Sequence, residues 1–218
     1  MRSGNSRKAG RGWCSKATDP TPGGTGNLRE HAIQEDFDGI LARASRLADA
    51  AGVQAALDRM AAEISRDLAD RDPLVLAVMI GGMLPAAWLL QRLDFPLQLD
   101  YVHASRYRGG TRGGADIDWI ARPRTPLEGR TVLVIDDILD EGYTLAAILE
   151  DCRRQGAADV RSGVLVEKRH ERRVPGLRAD YTGLQVADHY LFGCGMDYHE
   201  RHRQHAAVYA LAEEDDRK

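Results

Sequence analysis

The sequence predicts an α/β fold, with a mainly parallel sheet flanked by helices, and two observations carry the prediction. Short apolar runs, of a length typical of strands buried on both faces, follow one another along the chain. Between them lie segments whose apolar residues recur at three- and four-residue steps, as on one side of a helix. Strands that alternate with helices favour a parallel sheet covered on both faces. The 218 residues suffice for one such domain with an extension, or at most for two small domains.

The beginning of the chain differs from the rest in composition. Residues 1–30 hold six Lys or Arg against two Asp or Glu, a net charge of +4 within a chain total of −3. The stretch "DPTPGGTGN" within them is rich in Pro and Gly and cannot bury a core. We therefore predict a disordered basic tail over residues 1–28 and a single domain over residues 29–218. A basic arm can bind nucleic acid, but we do not expect that partner here.

Hydropathy and cysteine usage predict the compartment. No apolar run reaches the roughly 18 residues that a membrane span needs, and no apolar signal-peptide core follows the basic start. We therefore expect no membrane partner. The three cysteines, Cys14, Cys152 and Cys194, are odd in number and lack metal-ligand spacing. A reducing cytoplasm is the expected location.

The predicted elements begin with helices. Residues 33–50 and residues 53–68 both carry apolar residues at helical spacing, which predicts amphipathic helices. After Pro73 the run "LVLAVMI" (74–80) is continuously apolar and predicts a buried strand. The segment "GGMLPAAWLLQRL" predicts a loop and then a helix, because proline is tolerated in a first helical turn.

The second half of the domain repeats the alternation. Residues 97–103 predict a second strand, and "ASRYRGGTRGGADIDW" (104–119), with four glycines and three arginines, predicts a mobile loop between strands. Residues 131–135 predict a third strand and residues 160–168 a fourth. Between these two strands, "YTLAAILEDCRRQG" predicts a helix that a glycine ends.

The third predicted strand ends in clustered acids, within "VLVIDDILDEGYTL" (132–145). In open parallel sheets, ligands bind beyond the carboxyl ends of the strands. Gly142 and Thr144 then lead into a helix, whose first turn offers free N–H groups and the positive end of the helix dipole to a phosphate. Helix capping could account for Asp140 and Glu141, but it leaves the Asp136–Asp137 pair unexplained. The pattern predicts a ligand with a phosphate and with hydroxyls or a bound cation.

This segment resembles the phosphoribosyl-pyrophosphate motif of the type I phosphoribosyltransferases: an apolar strand, two acids, two aliphatic residues, then Asp, Gly and Thr at alternate positions. The resemblance implies that fold, with a small hood formed by terminal segments. It implies that Asp136 and Asp137 hold the ribose hydroxyls. The loop of Asp140, Glu141, Gly142, Tyr143 and Thr144 would bind the 5′-phosphate.

Two further segments resemble the hypoxanthine-guanine branch of this family, "VLVEKR" (164–169) and "VADHYLFGCGMDYHERHR" (186–203). The resemblance implies that Lys168 points at position 6 of a purine. An ammonium group has donors and no acceptor, so it favours a 6-oxopurine over adenine. By the same resemblance Tyr190 stacks on the base and the backbone of Leu191 meets the base edge. Two alternatives are a solvated lysine at a strand end for Lys168, and a core position for Tyr190.

The resemblance also assigns the pyrophosphate, metal and lid residues. Gly81 and Gly82 align with the pyrophosphate loop, where the family often has a non-proline cis peptide, here expected at Met79–Ile80 or next to it. Arg203 matches the arginine that contacts pyrophosphate. Asp197, at the purine side of the site, would hold Mg²⁺ together with Asp136 and Asp137. The mobile lid would carry Arg106 and Tyr107, where the family usually has a Ser-Tyr pair.

The implied activity is purine salvage: transfer of the 5-phosphoribosyl group from phosphoribosyl pyrophosphate to hypoxanthine or guanine, which yields IMP or GMP and pyrophosphate. Asp140 is the implied general base. The open alternatives are a xanthine-preferring relative and a non-catalytic regulator that senses phosphoribosyl pyrophosphate. Retention of Asp140, Lys168 and Asp197 favours the enzyme, because a sensor needs no general base. The family resemblance further implies a homo-oligomer, a dimer or a tetramer.

Two further features need an interpretation of their own. Glu141 stands where the family usually has Thr or Ser, and a carboxylate beside a phosphate should weaken binding, so Glu141→Thr is expected to lower the KM for phosphoribosyl pyrophosphate. In "YHERHRQH" the residues His199, His202 and His205 recur at three-residue steps. A helical metal site is possible on spacing alone, but a solvated polar segment is the expected structure.

Overall fold

A computed structural model describes residues 36–106 and 117–216, and every structural statement below concerns these residues. The predicted basic tail, Cys14 and most of the predicted mobile loop lie outside them. The helices are α1 (36–43), α2 (Ala50–Leu68), α3 (Met83–Leu90), α4 (Tyr143–Arg154) and α5 (Glu213–Asp216). The strands are β1 (Ser45–Ala48), β2 (Leu74–Met79), β3 (Gln98–Arg106), β4 (Ile117–Ala121), β5 (Thr131–Leu139), β6 (Asp159–Arg169), β7 (Tyr181–Ala187), β8 (Leu191–Phe192) and β9 (Val208–Ala210).

The main sheet has six strands in the order β4-β3-β2-β5-β6-β7. Every neighbouring pair is parallel except β3–β4, which is antiparallel. The carboxyl ends of β2, β3, β5, β6 and β7 therefore lie along one edge. The predicted mainly parallel sheet is confirmed, and this edge is where the acids of β5 are found.

Helices cover the sheet on both faces, which explains why its central strands are continuously apolar. Along β2 the side chains alternate: Val75 and Ala77 pack in the core formed with α2 and α3, whereas Leu76 and Val78 pack in the core formed with α4. The apolar stripe of α2 faces the first of these cores, as its spacing predicts. It consists of Val53, Ala56, Leu57, Met60, Ala61, Ile64 and Leu68.

A second, three-stranded sheet of order β1-β9-β8 forms the hood, and its strands come from segments far apart in the sequence. Ser45 pairs with Ala210, and Leu191 also pairs with Ala210 on the other side. The hood predicted from terminal segments is thus present. Its strand β1 corrects the helix predicted over residues 33–50: the described helix ends at residue 43. The residues of β1 are mostly exposed, so they bury no helical stripe, and pairing with β9 decides their conformation.

Several other strands differ from the sequence prediction. Strand β5 continues past residue 135 to Leu139, because Asp136 and Ile138 keep their parallel pairing with Val164 and Val166 of β6. Strand β7 was not predicted. Both ends of the loop predicted over 104–119 are strand, because β3 extends to Arg106 and β4 begins at Ile117.

Within the described ranges, no helix is both long and apolar enough to cross a membrane. Cys152 and Cys194 are free and buried. Burial raises the pKa of the Cys152 thiol to about 11 and that of Cys194 to about 12. Both thiols are therefore protonated and unreactive at neutral pH.

Candidate active site

Two adjacent carboxylates lie buried near the carboxyl end of β5. Asp136 and Asp137 are both about nine-tenths buried, and the backbone N–H of Asp137 donates to Oδ1 of Asp136 at 2.9 Å. Burial raises the pKa of both groups, and repulsion by Asp137 raises the pKa of Asp136 further. Arg203 opposes the rise at Asp137. Such a pair favours a ligand that brings hydroxyl donors or positive charge.

The loop after β2 runs directly against these acids. A Cβ atom on Gly81 would lie 1.8 Å from Oδ2 of Asp137, so a larger residue there would displace this carboxylate. The Met79–Ile80 peptide bond is cis, as expected from the family resemblance. Gly82 is the N-cap of α3. Backbone and carboxylates thus meet at the end of the sheet where the pyrophosphate loop is predicted.

The predicted phosphate loop opens helix α4. Gly142 is the N-cap, with φ +85°, a left-handed conformation that favours glycine. No side chain caps this helix and its first turn holds no acid, so the capping alternative for Asp140 and Glu141 is wrong. The loop borders a cavity of about 460 Å³. Among the residues that line this cavity are Gly81, Arg106, Asp136, Asp137, Asp140, Glu141, Gly142, Tyr143, Thr144 and Asp197.

Asp140 does not cap the helix because its carboxylate binds two other side chains. Nζ of Lys168 donates to Oδ2 at 2.7 Å, and Nε2 of His170 lies 2.7 Å from Oδ1. The backbone N–H of Arg172 donates to Nδ1 of His170, so the Nε2 atom carries the hydrogen that His170 gives to Asp140. Partial burial acts to raise the pKa of Asp140, but the bonds and charges of Lys168 and His170 outweigh it and lower that pKa.

Lys168 lies inside the site and not in solvent, so the solvated alternative is wrong. Its side chain is only 10% exposed, and Nζ is also 3.9 Å from Oδ1 of Asp188. A second cavity of about 310 Å³ adjoins it. This cavity is lined by Asp137, Ile138, Asp140, Lys168, Tyr190, Leu191, Met196 and Asp197. Tyr190 is 41% exposed at its mouth, with the ring edge-on to Tyr198, so the core alternative for Tyr190 is wrong.

Asp197 lies where the cavities meet. It lines both cavities above and a third of about 1000 Å³, which Arg203 also lines. Nη2 of Arg203 is 2.8 Å from Oδ1 of Asp197, and Nη1 donates to the carbonyl of Gly195. The backbone N–H of Glu200 donates to Oδ2 of Asp197. These bonds fix the carboxylate, and the shared lining makes the three cavities neighbouring parts of one site.

Arg106 and Glu141, which both depart from the family pattern, contact each other. Nη1 of Arg106 lies 2.5 Å from Oε2 of Glu141, and the guanidinium stands over the ring of Tyr143 at 4.6 Å from its centroid. Tyr107, the other predicted lid residue, lies outside the described residues. All the remaining predicted site residues line at least one of the three cavities, with the exception of Gly82 in the adjoining loop.

His170, Asp188 and Arg172 were missed by the sequence analysis. They follow β6 and β7 at the same edge of the sheet as Lys168, and that position is the signal that could have found them. Asp140, His170 and Asp188 offer ligand atoms within 4.8 Å of one another. The ammonium of Lys168 already supplies positive charge to both carboxylates, so these residues form an ion-pair cluster.

The histidine segment corrects another expectation. Residues 199–205 form bridges and turns, not a helix. His202 is 2% exposed and its ring stacks on Phe37 at 4.1 Å, with Nδ1 3.1 Å from Nε2 of His205. Phe192 also packs against both histidine rings. The expected solvated polar segment is therefore wrong for His202, which belongs to the aromatic core of the hood.

Comparison with known proteins agrees with this geometry. Residues 43–201 match the family of the phosphoribosyl transferase domain. The chain is 31% identical to the hypoxanthine-guanine phosphoribosyltransferase of Bacillus subtilis (strain 168), over 69% of this chain and 83% of that protein. It is 30% identical to the hypoxanthine-guanine-xanthine phosphoribosyltransferase of Tritrichomonas foetus, over 74% and 87%. A crystal structure of a hypoxanthine phosphoribosyltransferase from Staphylococcus aureus gives a TM-score of 0.73 at 26% identity, over 78% of this chain and 92% of that one.

Proposed function

The chain belongs to the phosphoribosyl transferase domain family, and from this premise we propose that it transfers the 5-phosphoribosyl group from phosphoribosyl pyrophosphate to hypoxanthine or guanine in purine salvage. The products are the purine nucleotide and pyrophosphate. One observation carries the proposal: Asp197 and Asp137 border both the cavity with the phosphate loop and the cavity with the buried Lys168. A phosphorylated ribose and a 6-oxopurine can thus meet at one carboxylate-lined junction.

The phosphoribosyl group would lie along β5 and the start of α4. The carboxylates of Asp136 and Asp137 accept hydrogen bonds from the ribose 2′- and 3′-hydroxyls. The 5′-phosphate binds at Gly142, Tyr143 and Thr144, where backbone N–H groups at a helix start are free of side-chain caps. The left-handed backbone of Gly142 supports this role because it directs the chain into the helix around the phosphate.

The purine would occupy the cavity beside Lys168. The ammonium donates to the 6-oxo group, which excludes the 6-amino group of adenine. Tyr190 stacks on the base from the mouth of the cavity, and the backbone of Leu191 meets the base edge. The same ammonium also donates to Asp140, so the base must share Lys168 with this carboxylate.

The pyrophosphate would bind between the loop of Gly81 and Gly82 and the guanidinium of Arg203. A magnesium ion fits the donors of Asp136, Asp137 and Asp197, because carboxylate oxygens suit this cation and, in the described part of the chain, Asp136 has no ion-pair partner. When bound, Mg²⁺ neutralises charge that develops on the leaving pyrophosphate. Arg106 and Tyr107 would cover the site and exclude water, which competes for the activated ribose.

Asp140 would act as the general base. As N9 of the purine bonds to C1′ of the ribose, the proton on N7 becomes acidic and passes to the Asp140 carboxylate. The lowered pKa of Asp140 supports this role because it keeps the carboxylate ionised at neutral pH. His170 donates to Oδ1, which leaves Oδ2 to receive the proton once Lys168 has turned to the base.

A spectrophotometric assay tests the proposal. The protein is incubated with phosphoribosyl pyrophosphate, Mg²⁺ and one of five bases: hypoxanthine, guanine, xanthine, adenine or uracil. We expect turnover of hypoxanthine or guanine and none of adenine or uracil. Turnover of xanthine in preference to both would favour the xanthine-preferring alternative. Absence of turnover with every base would contradict the proposed transferase activity and would favour the non-catalytic regulator.

The oligomeric state and the compartment complete the proposal. A dimer or tetramer is supported by large apolar side chains exposed near the sheet edge, Leu99 and Tyr101 on β3 and Ile120 on β4. Light scattering on the purified protein checks it, and a monomeric mass would contradict it. A cytoplasmic location is supported by the free thiols of Cys152 and Cys194.

A further inference from the structure

Arg106 and Glu141, which both depart from the family pattern, contact each other beside the start of α4. We propose that Arg106 is a positioning residue that neutralises the Glu141 carboxylate, and so allows the loop at the start of α4 to accept a phosphate. This inference rests on the proposed function and extends it, because it names a pair of residues that sets the affinity for phosphoribosyl pyrophosphate.

The guanidinium of Arg106 contacts the carboxylate of Glu141 and not the backbone of the loop. Nη1 of Arg106, at the end of β3, is 2.5 Å from Oε2 of Glu141. The same guanidinium lies over the ring of Tyr143, the first residue of α4, at 4.6 Å from its centroid. Two contacts therefore hold it in one place, on the wall of the 460 Å³ cavity that Gly142 and Thr144 also line.

The charge distribution explains why this contact matters. A carboxylate next to a bound phosphate repels it, and a cation on that carboxylate removes most of the repulsion. Arg172 is the other cation near Glu141, but its Nε is 3.9 Å from Oε1, while its Nη1 lies 2.7 Å from Asp188. Among the described residues, Arg106 thus makes the closest ion pair with Glu141.

The pair also changes what is expected of Glu141→Thr. If Arg106 neutralises Glu141, removal of the carboxylate from the intact protein relieves little repulsion. The expected fall in the KM for phosphoribosyl pyrophosphate is then confined to proteins that lack Arg106. The effect of each substitution depends on the other, which a double-mutant cycle measures directly.

Four proteins make up the cycle: the natural protein, R106S, E141T and R106S/E141T. Serine and threonine are the residues usual in the family at these positions. We expect R106S to raise the KM for phosphoribosyl pyrophosphate about tenfold, with kcat and the KM for the purine changed much less. E141T alone and the double variant should both lie within about threefold of the natural KM.

A matched control separates this effect from the general loss of an exposed ion pair. The side chain of Arg153 is 55% exposed, close to the 53% of Arg106, and it pairs with Glu150 on the outer side of α4. R153S should leave the KM for phosphoribosyl pyrophosphate unchanged. Higher salt should reduce the R106S effect, because the repulsion that it exposes is screened.

Two results would overturn the inference. If the loss of Arg106 raises the KM equally whether Glu141 is present or replaced by threonine, the arginine binds the substrate directly. No rise in R106S would mean that Glu141 needs no partner. If the natural protein turns over no base, the proposed function fails instead. Calorimetric titration of the same four proteins with phosphoribosyl pyrophosphate then tests the pair, and the same pattern is expected in Kd.

Discussion

At the scale of single residues, the contacts of Asp140 define its expected chemistry. Lys168 and His170 each approach one oxygen of this carboxylate at 2.7 Å. The two donors keep the carboxylate ionised and fix its orientation. They also lower its basicity, so the proposed proton transfer would rely on the increasing acidity of the purine N7 proton during the reaction.

The variant Asp140→Asn tests the base. The amide keeps the shape of the side chain but cannot take the N7 proton, so kcat should fall by roughly 10²–10⁴. The KM values for both substrates should change little, because the proposed contacts to both substrates come mainly from other residues and from the loop backbone. Steady-state kinetics measure both quantities, and near-natural turnover would remove Asp140 from the chemistry.

The variant Lys168→Met tests the cause of the lowered pKa of Asp140. Methionine retains the length of the side chain but removes the hydrogen bond and the charge that stabilise the carboxylate, while burial still favours the protonated acid. The pKa of Asp140 should rise. Since the ionised form is the proposed base, the acidic limb of the pH profile of kcat/KM should move to higher pH.

The neighbouring variant Arg169→Met is the control for this shift. Arg169 bonds to Gln185 outside the cavities, so its loss should leave the acidic limb in place. A profile that moves equally in both variants would show that general charge, and not the bond from Lys168, sets the pKa. If the acidic limb does not move in Lys168→Met, the limb does not report the ionisation of Asp140.

At the scale of elements, the start of α4 depends on a backbone conformation that only glycine adopts readily. In Gly142→Ala the left-handed φ costs about 1–2 kcal/mol, and the new Cβ would lie 2.3 Å from Cδ2 of Leu177. We expect the strained loop to shift, so the KM for phosphoribosyl pyrophosphate should rise about tenfold. Kinetics and urea unfolding measure the two effects.

Gly129→Ala is the matched control at this scale. Gly129 also has a left-handed φ, +70°, but a Cβ there meets nothing within 4 Å. It should lower the free energy of unfolding by about the same conformational cost and leave both KM values unchanged. Similar kinetic losses in the two variants would show that stability, and not the position of the loop, controls substrate binding.

The elements also show what can be predicted from sequence. The sequence predicts β2, β5, α2 and α4, because the apolar pattern of each element reflects which of its own residues are buried. Strand β1 could not be, since its partner β9 lies more than 150 positions away and its own residues are exposed. The motif predicts Asp136, Asp137 and Asp140 as site residues. The partners of Glu141 and Asp140 lie on or next to strands that are distant in the sequence, so residue spacing could not predict them.

At the scale of the whole molecule, the predicted basic tail should be dispensable. Every residue that lines the three cavities lies at position 78 or beyond, and the match to the family begins at residue 43. A protein that lacks residues 1–28 should retain kcat, both KM values and Tm within error. Kinetics and thermal unfolding check this. A large loss of activity would show that the tail takes part in the domain.

The hood links the cavity beside Lys168 to β9. Leu191, which lines that cavity, pairs with Ala210 of β9, and the backbone N–H of Leu211 donates to the carbonyl of Tyr190. The pairing with β9 therefore positions one wall of the cavity beside Lys168, and that wall depends on a sheet separate from the one that carries Asp136 and Asp137.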